Sequence, residues 1–127
     1  MGELARERDL LPDRVLCSTA TRARETIEFF AQGAKLRQAV DFLDALYLAE
    51  PAAMLRVIRA HARSFERVMV VGHNPGLEDL VSTLTGERVE LATTALAECR
   101  LRVESWSKLS LKTAGTLRSI FHPKARI

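Results

Sequence analysis

The sequence predicts an α/β fold, a three-layer α/β/α sandwich around a mainly parallel sheet. Three observations lead there. Strand-like and helix-like stretches alternate through most of the chain, in the order βαβαβα with a β-rich end, and parallel strands need such helix-length crossovers. Arg67-Val68-Met69-Val70-Val71-Gly72 is an apolar, mostly β-branched run of the kind found in strands covered on both faces. The helical stretches carry apolar residues at helical spacing, and two of them end on glycine, at Gly33 and near Gly86.

Element by element, residues 1–11 read as the later part of a helix, with Leu4, Leu10 and Leu11 apolar among alternating charges. Pro12-Asp13 breaks it, and Arg14 to Ser18 is a short buried strand. Ser18, Thr19 and Thr21 offer capping oxygens for a helix with Ala20, Ala23, Ile27 and Phe30 on one face, stopped at Gly33. Leu36 to Val40 is a second strand. Glu50-Pro51 opens a helix whose Ala53, Met54, Val57, Ile58 and His61 share a face, with proline in the first turn. The strand over residues 67–72 leaves through His73-Asn74-Pro75-Gly76 into a helix built on Leu77, Leu80, Val81 and Leu84, ending near Gly86. Ala95 to Val103 and Thr116 to Phe121 are the last strands. No repeat, low-complexity tract or linker divides the chain, so residues 1–127 are expected to form one domain.

Composition narrows the function classes. Hydrophobic residues make up 47% and charged residues 28% of the 127, as in ordinary globular proteins. No apolar run approaches the roughly 20 residues that cross a bilayer, and the charged N-terminus matches neither a signal peptide nor, with Arg6 in place of Ser or Thr, a myristoylation site. The expected compartment is the cytoplasm, with no membrane partner. Cys17 and Cys99 sit in apolar segments with neither disulfide nor metal-ligand spacing and are expected to be buried thiols. The net charge of +3 suits an anionic partner, but no Lys/Arg block or interleaved aromatics suggest nucleic acid.

Two segments bear chemistry. In open α/β sheets, ligands bind beyond the carboxyl ends of the parallel strands. Ser18 to Thr26 leaves one such end, with Arg22 in a first helical turn beside free backbone N–H groups, an arrangement suited to phosphate. An arginine there opposes the helix dipole, so it needs an anion, or else a surface ion pair with Glu25 or Glu28. His73 stands at the end of another strand, before another helix start; it is either structural or functional on these grounds alone. Arg24 reads as a solvated helix-face residue, and His61 and His122 as structural or solvated. Cys17 is not expected to be a nucleophile. In the cysteine-dependent phosphatase pattern Arg follows Cys at a spacing that Arg22 undershoots and Arg24 overshoots by one residue, and Cys17 lies within a strand. No His/Cys/Asp/Glu cluster has metal-ligand spacing, so neither metal nor other cofactor is expected.

The same two segments resemble the histidine phosphatase superfamily: Ser18-x-x-x-Arg22-Ala23-x-x-Thr26 after a short strand, then Val70-Val71-Gly72-His73-Asn74-Pro75-Gly76. Tyr47-x-Ala49 before a helix, and Thr93-Thr94-Ala95-Leu96-Ala97 opening a strand, are similar to its small SixA-type branch. The resemblance implies the phosphoglycerate mutase-like fold and phosphatase activity through a phosphohistidine intermediate. It implies that an Arg-His-Gly or Arg-His-Ala motif ending the first strand supplies the nucleophile, while a second Arg and a second His hold the phosphate oxygens. Arg22 and His73 match these last two positions, and Ser18, Asn74 and Thr94 are the further substrate-side residues. Positioning and positive charge around the transferred group are what phosphoryl transfer needs most.

The sequence departs from this pattern in one place. It contains no Arg-His-Gly or Arg-His-Ala, and it opens where the family's first helix is half finished. The expectation is therefore a fold with its first strand absent and no turnover by the chain as given. Either translation begins upstream of Met1 or the chain is a shortened relative, acting as a non-catalytic phosphate-binding or interaction module. Asp41, Asp44 and Glu50 lie where ester-cleaving members keep an acid, but in no motif that matches. A phosphohistidine protein is thus the expected substrate ahead of a small phosphate ester, because a protonated imidazole leaves readily.

Overall fold

The computed structural model describes residues 1–123. Its elements run α1 (Gly2–Glu7), β1 (Arg14–Ser18), α2 (Thr21–Ala34), β2 (Val40–Leu43), α3 (Pro51–His61), β3 (Val68–Val71), α4 (Gly76–Thr85), β4 (Leu96–Leu101) and β5 (Gly115–Phe121), with single 3-10 turns at Asp44–Leu46 and Trp106–Lys108. β1 is the centre of a parallel sheet in the order β2-β1-β3, and β4 and β5 form a separate antiparallel pair.

Strand alternation divides the core into two layers. Val15 and Cys17 on β1, with Met69 and Val71 on β3, meet Ala23, Ile27 and Phe30 of α2 and Ala5 of α1. Leu16, with Val68 and Val70, meets Met54, Leu55, Val57 and Ile58 of α3 and Leu80 and Leu84 of α4. The period of two sends alternate side chains to opposite faces, so β1 must be apolar at every position. Val15, Leu16 and Cys17 are all fully buried. Burial of a Val- or Leu-sized side chain contributes about 1.5–3 kcal/mol, which makes β1 the keystone of the fold. The three-layer α/β arrangement is the one expected.

Several details differ from expectation. The second strand lies at Val40–Leu43, starting where the predicted one ends; Val15↔Val40 through Ser18↔Leu43 pair it with β1. Gly33 does not stop α2, which runs on to Ala34 and turns at Lys35 with φ 54. Gly33 serves α1 instead: a Cβ there would lie 3.0 Å from the Glu3 amide nitrogen, so glycine lets the two helices approach without displacing either backbone. The first helix is shorter than residues 1–11. The α2 N-cap is Ala20, with no side-chain cap from Ser18, Thr19 or Thr21.

β3 is packed on both faces, as its run predicts, Met69 and Val71 against one layer and Val68 and Val70 against the other, yet all four residues are only half-buried. It pairs with β1 along one edge, from Arg14↔Val68 to Cys17↔Val71, and no other strand pairs with it among the described residues. No helix among the described residues is long and apolar enough to cross a membrane.

Candidate active site

β1 and β3 run parallel in matched register, so Ser18 and the Gly72-His73 turn leave the sheet at the same end. There Ser18 Oγ lies 3.0 Å from His73 Nε2. Among the described residues Ser18 is the buried polar residue, at 0% exposure, and its Oγ also accepts the Ala20 N–H at 3.2 Å. A hydroxyl has one proton to give. It either donates to a neutral His73, or accepts from His73 Nε2–H and leaves its own proton free. Either way the imidazole is held by a buried group, with Tyr47 edge-on to its ring at 5.6 Å between centroids.

Arg22 stands in the first turn of α2, exposed, and its guanidinium makes no hydrogen bond or ion pair among the described residues. The expected alternative, a surface pair with Glu25 or Glu28, does not form. An unpaired cation in a first turn is unfavourable with the helix dipole, which an anion between Arg22 and the free N–H groups would relieve. Thr26 Oγ1 donates to the Arg22 carbonyl at 2.9 Å, tying one turn of α2 together. Arg24 is not simply solvated: it donates to the Thr19 carbonyl at 3.1 Å and stacks 4.2 Å over the Phe42 ring.

Asn74 and Thr94 lie on adjoining loops. Asn74 Nδ2 donates to the Leu91 carbonyl at 2.7 Å, while the Leu91 N–H donates to Glu78 Oε2, also at 2.7 Å. Both backbone groups of Leu91 are thus held by side chains following His73. Thr94 is exposed with φ 68, unusual for a β-branched residue, in a turn closed by the Ala95 N–H on the Ala92 carbonyl at 3.0 Å. A cavity of about 640 Å³ opens beside Glu78, Glu90, Leu91, Ala92 and His122. Its carboxylates would repel an anion, and neither Arg22 nor His73 lines it. Glu78 and Tyr47 escaped the site reading of the sequence. Glu78 lies five positions past His73, where nothing local announces that it reaches across to Leu91.

Of the middle-segment carboxylates, Asp41 is ion-paired with Arg14, which also donates to the His61 carbonyl at 3.1 Å. Asp44 begins a 3-10 turn and Glu50 is the N-cap of α3. Cys17 is fully buried, and burial pushes its thiol up to about 11, against a smaller opposing pull from Arg24. It is no thiolate at neutral pH. Cys99 is only half-buried, not fully as expected; burial, with Glu98 and Glu87 nearby, raises its pKa as well.

No family model matches the chain. Over 74 residues it is 34% identical to an uncharacterized protein of Mycobacterium leprae, covering 58% of this chain and 44% of that protein. Over 72 residues it is 38% identical to an uncharacterized protein of Mycobacterium tuberculosis, covering 57% and 43%. The matched stretch thus spans less than half the length of these relatives. Among solved structures, the phosphohistidine phosphatase SixA assigned in Nakamurella multipartitia superposes with TM-score 0.77 at 25% identity, over 98% of this chain and 80% of that one. The one assigned in Agrobacterium tumefaciens superposes with TM-score 0.72 at 26% identity, over 96% and 75%. The chain is thus similar in fold, and at 25–26% identity in sequence, to the SixA-type branch of the histidine phosphatase superfamily. A third member of the branch, the protein histidine phosphatase SixA complexed with tungstate, has the same fold, with TM-score 0.73 at 23% identity over 95% and 75%.

Proposed function

We propose that residues 1–127 are the phosphate-holding portion of a SixA-type phosphohistidine phosphatase. Arg22 and His73 bind the oxygens of the transferred phosphoryl group; Ser18 orients His73, and Asn74 and Thr94 border the substrate. The observation that carries this is the Ser18–His73 hydrogen bond at 3.0 Å, which fixes the histidine at the strand-end where an unpaired Arg22 begins α2. A preorganised imidazole and a guanidinium lacking a protein partner form a charge pattern for a tetrahedral oxyanion. Asp41 is engaged by Arg14, so it is not free to protonate an alkoxide, which favours phosphohistidine over an ordinary ester. The site of action is the cytoplasm, testable by cell fractionation.

The 127 residues contain no Arg-His-Gly or Arg-His-Ala. That observation favours a second reading of the chain as given, a module that binds phosphate without turnover. One pair of experiments addresses both. Titration with orthophosphate or tungstate should show saturable binding that Arg22→Ala and His73→Ala each weaken. Steady-state assays with an aryl phosphate and a phosphohistidine peptide should show negligible turnover. Robust turnover abolished by His73→Ala alone would mean that His73 is the nucleophile and the assignment is wrong. No anion binding at all would remove both readings.

A further inference from the structure

In the turn whose Tyr47 meets the His73 ring, a backbone conformation that does not suit its residue carries an exposed apolar side chain. Leu46-Tyr47-Leu48-Ala49 is a β-turn closed by the Ala49 N–H on the Leu46 carbonyl at 3.3 Å. Tyr47 has φ -67 and ψ 117, and Leu48 has φ 50. The extended Tyr47 followed by a positive φ is the pattern of a type II turn, whose third residue favours glycine or asparagine. Leucine there strains the backbone and gains nothing from the core, since its side chain is 68% exposed. Asp9, Lys35 and Arg63 also have positive φ, but each closely follows an α-helix, where that conformation is routine, whereas Leu48 follows the extended Tyr47; Thr94, at φ 68, is the other loop residue so strained. Strain at an exposed site that packing does not require points to function.

The turn is also held in place. A Cβ on Gly76, at the start of α4, would come within 2.4 Å of the Ala49 carbonyl oxygen, so the Leu46–Ala49 turn and the His73 loop touch backbone to backbone. Tyr47, itself 55% exposed, lies edge-on to the His73 ring. An exposed aromatic side chain thus borders the imidazole assigned to the phosphate, and the exposed Leu48 follows it on the same fixed turn.

We propose that the Tyr47–Leu48 turn is a docking element that selects a phosphorylated polypeptide presenting an apolar side chain next to its phosphoryl-bearing residue. This rests on the phosphate-binding role of Arg22 and His73 and deepens it. A free phosphate or small ester has no group to cover Leu48, whereas a peptide flank does. Burial of one aliphatic side chain supports a preference of about tenfold or more.

The test uses the 127-residue chain and three probes: orthophosphate, and two peptides carrying a non-hydrolysable phosphohistidine analogue, flanked by leucine or by glycine. The leucine-flanked peptide should bind about tenfold tighter than the glycine-flanked one. Leu48→Gly and Leu48→Asn should abolish that preference, leave orthophosphate binding alone, and unfold no earlier than the parent, since both residues suit φ 50. Leu111→Ala, at another exposed leucine, should change none of these. If orthophosphate binds but both peptides bind the parent equally, the docking element is refuted and the phosphate site stands. If orthophosphate does not bind, the phosphate site falls and the docking element with it.

Discussion

Ser18 Oγ meets His73 Nε2 at 3.0 Å although 55 positions separate the two residues. The contact follows from the sheet. Cys17 pairs with Val71 across β1 and β3, so Ser18 and the Gly72-His73 turn, on strands running the same way, emerge side by side. Ser18 is fully buried, where a hydroxyl is tolerated only if its hydrogen bonds are made. The Ala20 amide and His73 make them.

Ser18→Ala should therefore act on both stability and binding. Loss of a part-buried hydrogen bond costs about 0.5–1.5 kcal/mol, and somewhat more if the Ala20 N–H finds no water. The His73 ring should lose its single orientation, visible as broadened or doubled imidazole resonances. Orthophosphate affinity should fall several-fold. An unchanged imidazole spectrum in the variant would show that Ser18 does not position the ring.

Arg22 and Arg24 lie two positions apart but should behave differently. Arg22 is unpaired, so Arg22→Ala removes a charge-assisted contact worth about 1.5–3 kcal/mol, or about 10- to 100-fold in anion affinity. Arg22→Lys should recover only part of this, because an ammonium lacks the planar fork. Arg24→Ala should change affinity little and stability slightly, through the Phe42 stack and the Thr19 carbonyl. Isothermal titration with orthophosphate at two salt concentrations separates these outcomes.

At Gly76 the usual sign of a glycine substitution is reversed. Gly→Ala in a helix normally stabilises by about 0.4–1 kcal/mol. Here the new Cβ would lie 2.4 Å from the Ala49 carbonyl oxygen and 2.9 Å from Met54 Cε. The methionine can swing aside, but a backbone carbonyl cannot, so Gly76→Ala should destabilise by about 1–3 kcal/mol and loosen the Tyr47–His73 contact. Gly72→Ala provides the contrast, since the nearest atom to its Cβ is 3.8 Å away on Leu77. Urea denaturation of the two variants reads the difference directly.

Cys17 gives a pH dependence with a definite sign. Its thiol is raised from the ordinary 9.0 to about 11 by burial, so between those values the unfolded chain releases a proton that the folded chain keeps. Stability from this group is complete below about pH 9 and is lost as pH rises towards 11. Cys17→Ala should unfold with a shallower pH slope in that window, and thiol-specific alkylation of native protein at pH 8 should be slow at Cys17. Rapid alkylation of Cys17 in the folded chain would show that it is not buried as described.

Much of this architecture was legible in the sequence. The apolar runs of β1 and β3 and the helical spacing of Ile27, Met54 and Leu80 define the layers, because burial pattern follows element period. Arg22 and His73 were legible as strand-end residues for the same reason. Contacts between distant loops were not. Leu91 held by Asn74 and Glu78, and Tyr47 against His73, depend on how loops fold back over the sheet, which no local period encodes. Gly33 misled because a helix stop and a close helix contact both select glycine. β3 has the composition of a strand covered on both faces, and it is; that its outer edge has no partner among the described residues is not encoded in that composition.

That unpaired edge supports the last prediction. Val68 to Val71 are half-buried, and one edge of their backbone lacks ladder partners among the described residues. The β4–β5 pair forms a sheet of its own, so neither of its strands pairs with this edge. An apolar strand ending in Arg-His-Gly, fused ahead of Met1, should pair with this edge. It would cover several large side chains at about 1.5–3 kcal/mol for each one fully buried and bring a histidine to the end of the sheet that holds His73. At about 3–6 °C per kcal/mol for a chain of this size, Tm should rise by roughly 10 °C or more. Phosphatase activity should appear with it and fall about 100-fold in Arg22→Ala, as on losing a preorganised oxyanion donor. The 127-residue chain alone should be more prone to associate through the exposed edge, measurable as concentration-dependent sedimentation. Identical cooperative unfolding of the fused and parent chains, with both strictly monomeric, would show that β3 needs no further partner and that the half-burial of Val68–Val71 is simply its native state.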